Sequence, residues 1–77
     1  MDTIGARLKQ ARERKVLSQE DLSGLSGVTE ATISRMENGK SGPTRPSTAR
    51  KLAEALSVEA SWLLFGDQEP TEVKIAA

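Results

Sequence analysis

The 77-residue sequence contains no cysteine and no histidine. Without cysteine it can form neither a disulfide nor a thiolate zinc site, which favours an intracellular protein over a secreted one. Without histidine it lacks the commonest metal ligand and the usual general base. No pair of carboxylates is marked out by its spacing to replace that base. These absences argue against an enzyme, and we expect no metal ion and no other cofactor.

Long apolar runs and aromatic residues are also scarce. No apolar run approaches the roughly 20 residues that a transmembrane helix needs. The first ten residues, MDTIGARLKQ, lack the apolar segment of a signal peptide, so we expect a cytoplasmic protein with no membrane partner. Trp62 and Phe65 are the only aromatic residues, too few for a surface that stacks single-stranded nucleic acid. We interpret Trp62 as a core residue rather than a ligand platform.

The formal net charge is zero, but the charges are unevenly distributed. Residues 1–51 contain ten Lys or Arg against six Asp or Glu, whereas residues 52–77 contain one against five. A domain of this kind can present a positive face to a polyanion while it remains neutral overall. Charge alone supports such a partner only weakly, because many ordinary domains are equally asymmetric.

Hydrophobic periodicity and capping residues predict an all-α domain with five helices. Asp2 or Thr3 can cap the first helix, Ser18 the second and Thr29 the third, and Gly27 ends the second. The predicted helices cover about residues 3–15, 18–27, 29–37, 47–56 and 59–65. We expect the first two to bury Ile4, Leu8, Ala11, Leu22 and Leu25, whereas Arg7, Lys9 and Lys51 are interpreted as solvated.

The chain divides into a predicted domain, residues 1–66, and a polar C-terminal tail, residues 67–77. In the tail sequence DQEPTEVKIAA, only the EVKIA portion alternates between polar and apolar residues. This alternation places Val73 and Ile75 on one side. That portion could add a short strand between subunits.

The segment GVTEATISRMENGK, residues 27–40, carries the strongest functional signal. Its third predicted helix places Ile33 and Met36 on one face, and Glu30, Ala31, Ser34 and Arg35 on the opposite face. The short glycine-containing turn before it requires the second and third helices to cross steeply. The third helix is then left exposed, in a position that a DNA major groove can accept.

The sequence resembles the Cro/repressor-type helix-turn-helix family, also called the xenobiotic-response-element family and typified by the lambdoid phage repressors. The segments that carry the resemblance cover about residues 4–66: IGARLKQARERKVLSQEDL, GVTEATISRMENGK and RPSTARKLAEALSVEASWLLFG. Ser23 replaces the family's usual alanine, and the loop KSGPTR is longer than in the phage repressors. The resemblance implies a compact five-helix DNA-binding domain in which helices 2 and 3 form the helix-turn-helix.

The resemblance also implies roles for individual residues. Glu30, Ala31, Ser34 and Arg35 would face base edges, and arginine, glutamate and alanine suit guanine, cytosine N4 and the thymine methyl, respectively. The alternatives are that Arg35 is a solvated charge and that Glu30 only favours the helix dipole. The implied phosphate contacts lie on both sides of helix 3: Ser18, Gln19, Arg14, Thr29, Asn38, Lys40 and Arg45.

Two further assignments follow from the same resemblance. Arg12 and Glu37 would form a partly buried structural ion pair, which we favour over two independent surface charges. Leu64 and Phe65 would form a dimer interface, since Trp62 and Leu63 are needed in the core.

The sequence therefore predicts a double-stranded DNA-binding transcriptional regulator, a repressor, that acts as a homodimer on a two-fold operator. The alternative is an antitoxin-like or adaptor protein whose tail, residues 67–77, binds a protein partner. The two functions are compatible with each other.

Overall fold

The computed structural model describes residues 3–66, and this part of the chain forms five helices and no strand. The helices are α1 (Ile4–Arg14), α2 (Gln19–Ser26), α3 (Glu30–Glu37), α4 (Pro46–Leu56) and α5 (Ala60–Phe65). The predicted all-α, five-helix fold is therefore confirmed. The predictions for Asp2 and for the tail, including its strand and its protein partner, lie outside the described residues.

Local capping chemistry sets the beginnings of the first three helices. Thr3 Oγ1 accepts a hydrogen bond from the Ala6 N–H at 3.1 Å, and Thr29 Oγ1 accepts one from the Thr32 N–H at 3.2 Å. Ser18 and Asp21 form a reciprocal capping box, with distances of 2.9 and 3.0 Å. The Ser18 N–H, which donates to the Asp21 carboxylate, is the main cause of that group's lowered pKa. These bonds satisfy backbone donors that a helix leaves unpaired at its N-terminus.

The core lies between all five helices. α1 packs against α3 and α5, while α4 packs against α2 and α5. The largest fully buried side chains come from every helix: Leu8, Leu22, Ile33, Leu52, Leu56 and Leu63. The predicted core role of Trp62 agrees with its burial. Within the described residues no helix is long and apolar enough to cross a bilayer.

The prediction that Leu25 faces inward is wrong, because 63% of this residue is exposed. Leu25 lies roughly 60° around the helix from the buried Leu22, as three residues of an α-helix require. α2 packs on α3 and α4 through its Leu22 side, and Leu25 is left at the rim beside Leu17 and Gly24.

The prediction that Arg7 is a solvated side chain is also wrong. Only 5% of Arg7 is exposed, and its guanidinium reaches the C-terminal end of α5. Nε donates to the Leu63 carbonyl at 3.0 Å and Nη2 donates to the Leu64 carbonyl at 2.9 Å. The last carbonyls of a helix have no partner within it, so these bonds contribute to the stability of a cation in this position.

Gly5 is a point of close approach between α1 and α3. A Cβ atom at this position would overlap the backbone carbonyl of Met36 and would lie 3.2 Å from the Glu37 Cα. The absence of a side chain at Gly5 therefore lets α1 pack directly on the C-terminal turn of α3.

Candidate nucleic-acid interface

Helix α3 is fixed to the domain by one face and exposed on the other. Ile33 and Met36 are buried in the core between the helices. Glu30, Ala31 and Arg35 are exposed, and Ser34 is half-buried. The structure thus brings the four residues predicted to read bases onto a single outward helix face.

A network of three side chains anchors the C-terminal end of α3. Arg12 donates from Nε and Nη2 to the two carboxylate oxygens of Glu37, at 2.7 and 2.9 Å. Both side chains are largely buried, with 11% and 3% exposed, respectively. The bonds to Glu37 are also the main reason why the Arg12 pKa is raised. The two residues predicted as an ion pair are therefore in direct contact, and they join α3 to α1.

The third member of the network is Gln19, whose Nε2 donates to Glu37 Oε1 at 3.1 Å. Sequence reasoning assigned Gln19 to a phosphate and missed this bond, because the two residues are 18 positions apart and lie on different helices. An amide group carries two N–H bonds, so the contact with Glu37 leaves a second donor for a phosphate. The contact also places the first residue of α2 next to the last turn of α3.

The remaining residues predicted to contact phosphates lie near the ends of the helices. Ser18 and Thr29 are exposed N-cap residues whose hydroxyl oxygens accept bonds from their own helices. Asn38 and Lys40 are exposed just beyond α3, and Asn38 Nδ2 donates to Ser34 Oγ at 3.4 Å. Arg14 is exposed in the last turn of α1. Their contacts with phosphates stay predictions.

Arg45 lies at the N-terminal end of α4, across a cleft from α3. It lines a cleft of about 290 Å³ with Thr32 and Met36 of α3 and with residues 41–44. Arg45 is exposed and its guanidinium carries only hydrogen-bond donors, so it is accessible to an anionic ligand beside α3.

The predicted dimer residues lie at the end of α5. Phe65 is 69% exposed, Leu64 is half-buried, and Trp62 and Leu63 are buried as expected.

Among residues 3–66, no group of three or more Asp or Glu side chains is placed to hold a metal ion.

The arrangement of a short α2, a glycine-containing turn and an exposed α3 is matched by known proteins. The family model of the helix-turn-helix domain matches residues 3–63. The chain belongs to this helix-turn-helix family. The resemblance to the lambdoid repressors is confirmed by the sequence and structural neighbours of the domain.

Among curated relatives, the helix-turn-helix domain is similar to the HTH-type transcriptional repressor RghR of Bacillus subtilis, with 43% identity over 65 residues. That match covers 84% of this chain but only 48% of RghR. The chain thus spans about half the length of this relative.

Two solved structures are close neighbours of the helix-turn-helix domain. The P22 c2 repressor in complex with a synthetic operator has a TM-score of 0.77 and 27% identity, covering 87% of this chain and 100% of the repressor chain. SinR in complex with DNA, a master regulator of biofilm formation, has a TM-score of 0.77 and 28% identity. That match covers 79% of this chain and 97% of the SinR chain.

Proposed function

We propose that this domain binds double-stranded DNA in a sequence-specific manner and regulates transcription, acting as a repressor. The observation that carries the proposal is the two-sided character of α3. Its inward residues, Ile33 and Met36, account for the packing of the helix. Its outward residues, including Arg35, contribute nothing to the core and present groups that suit base edges.

The surroundings of α3 suit a helix that enters a groove. Gln19 lies at one side of the helix through its bond with Glu37, and Arg45 lies at the other across the cleft. Donors on both sides of a recognition helix can bind the two phosphate backbones that border the major groove. Because Glu30 repels phosphates, these flanking donors would provide most of the affinity.

The comparisons support the same function. Two neighbours of this fold are solved with DNA, and RghR is named a transcriptional repressor. A homodimer is supported by the exposed Phe65 at the end of α5. Two copies related by a two-fold axis would place their recognition helices about one helical turn, 34–36 Å, apart.

Selection from a random duplex library tests this function directly. We expect the wild type to enrich a motif with two-fold symmetry whose half-sites lie about 10–10.5 base pairs apart. A matched selection with Lys51→Ala, which removes an exposed cation from α4, should return the same motif. Recovery of no common motif, with equal binding to all duplexes, would contradict a sequence-specific regulator.

A further inference from the structure

Helix α1 contacts both of the other helices that the proposed function uses. At Gly5 it packs on the backbone of Met36, at the C-terminal turn of the recognition helix α3. Two residues later, Arg7 donates to the carbonyls of Leu63 and Leu64, at the C-terminal turn of α5. A single turn of α1 therefore connects the helix that faces DNA with the helix that carries the exposed Phe65.

The contact at Arg7 is suited to fixing an orientation. α5 has only six residues, and a helix of this length depends on tertiary contacts for its position. A guanidinium is planar and holds several donors in a rigid arrangement, so bonds to two successive carbonyls define both the distance and the tilt of α5. A lysine ammonium, which is a point charge on a flexible stem, cannot define the tilt in this way.

We propose that Arg7 is a positioning residue that determines which half-site spacing the dimer accepts. The guanidinium fixes the apolar end of α5, Leu64 and Phe65, relative to α1, and Gly5 fixes α1 relative to α3. The angle and distance between the two recognition helices of a dimer depend on both contacts. This inference rests on the proposed function, a dimer bound to a two-fold site.

The preferred half-site spacing is a sensitive measure of the angle and distance between the two recognition helices. One added base pair moves a half-site by about 3.4 Å along the duplex and turns it by roughly 34° around the axis. A rigid dimer tolerates neither change, whereas a dimer with a loosened α5 can follow both.

The experiment measures binding of the full chain to the selected operator, to spacers one and two base pairs longer or shorter, and to a single half-site. The variants are Arg7→Met, Arg7→Lys and the control Lys9→Met, which removes an exposed charge from the same helix. We expect the wild type and Lys9→Met to prefer one spacing by about tenfold or more, equivalent to roughly 1.4 kcal/mol. Arg7→Met should reduce this preference several-fold and leave half-site binding unchanged. The spacing preference of Arg7→Lys should lie between those of the wild type and Arg7→Met.

The outcomes separate the two proposals. If the wild type prefers one spacing and both Arg7 variants keep that preference, the inference about Arg7 is wrong and the proposed function stands. If the Arg7 variants lose half-site binding and spacing preference together, Arg7 only stabilises the fold, and the inference is again wrong. If Arg7→Met does not fold, Arg7→Lys decides by the same criteria. A wild type that binds no duplex contradicts the proposed function and this inference together, whereas a wild type that binds the operator equally at all spacings contradicts this inference alone.

Discussion

Val16 adopts a left-handed backbone conformation, with φ of 57°, although its side chain is β-branched. Its N–H donates to the Glu13 carbonyl at 2.9 Å, and the Leu17 N–H donates to the Arg12 carbonyl at 3.1 Å. These two bonds form a Schellman motif, in which glycine usually occupies the position of Val16. The side chain is 87% exposed, so packing does not compensate for the backbone strain.

Replacing Val16 by glycine should therefore stabilise the domain. Relief of a left-handed conformation contributes about 1–3 kcal/mol, and the greater freedom of glycine in the unfolded chain offsets about 0.4–1 kcal/mol. We expect a net gain of about 1 kcal/mol in the free energy of unfolding, measured by thermal or urea denaturation. The control is Lys15→Gly, at an exposed neighbour whose φ is −93°, which should destabilise the domain. A Val16→Gly variant less stable than the wild type would show that the turn carries no strain.

Single substitutions at Arg35 and Asn38 distinguish base reading from phosphate binding. Arg35→Ala should lower affinity for the operator by about 1–3 kcal/mol and relax the preference at one base pair. Asn38→Ala should weaken binding to every sequence alike, because phosphates carry no sequence information. Both side chains are exposed, so neither change should alter the fold. Equal losses on operator and random DNA for Arg35→Ala, measured by fluorescence anisotropy, would assign Arg35 to the backbone.

Single residues also show where sequence reasoning succeeds and where it stops. The caps at Thr3, Ser18 and Thr29 were predictable, because each bonds to a backbone group three residues away. The burial of Arg7 was not predictable from periodicity, since its partners are 56 and 57 positions distant. The exposure of Leu25 depends on which side of α2 meets its neighbours, and a helix of eight residues leaves that choice open.

Contacts between elements decide how firmly α3 is held. Glu37 lies at the end of α3 and accepts bonds from Arg12 of α1 and from Gln19 of α2. Arg12 also donates to the Leu17 carbonyl at 2.8 Å, in the connection between α1 and α2. The pairing of Arg12 with Glu37 was expected from the family resemblance, whereas the bonds with Gln19 and Leu17 depend on the tertiary fold. Together they fix the orientation of the face that would read bases.

The coupling between Arg12 and Glu37 is measurable with a double-mutant cycle. Either Arg12→Ala or Glu37→Ala leaves a largely buried charge without its partner, and we expect each to cost about 3–5 kcal/mol. The double variant should be more stable than either single variant, because no unpaired charge remains. Lys51→Ala, at an exposed position of α4, should change the free energy of unfolding by less than about 0.5 kcal/mol. Small, additive losses in the cycle, measured by urea denaturation, would mean that the two charges act independently.

At the scale of the whole molecule, the base-reading face and the apolar end of α5 belong to one small domain. α1 lies between them and contacts both α3 and α5. One recognition helix reaches only a few base pairs, and a small module contacts few phosphates. Association of two copies doubles the number of base pairs that are reached and the number of phosphates that are contacted. It also adds a requirement for symmetry in the DNA.

We expect the domain to dimerise through Phe65 and Leu64. Phe65 is 69% exposed at the C-terminal end of α5, and burial of an aromatic side chain against its copy is a strong source of association energy. Sedimentation of the wild type, of Phe65→Glu and of Leu64→Glu/Phe65→Glu should show a dimer that both variants weaken, because each places a charge where apolar surface is buried. Leu25→Glu is the matched control, since Leu25 is a similarly exposed apolar residue on α2, and it should dimerise like the wild type. The operator should strengthen the wild-type dimer, as linked binding requires. A wild type that stays monomeric at high concentration and binds a lone half-site as tightly as the two-fold site would contradict the dimer. A double variant that still dimerises would contradict this interface.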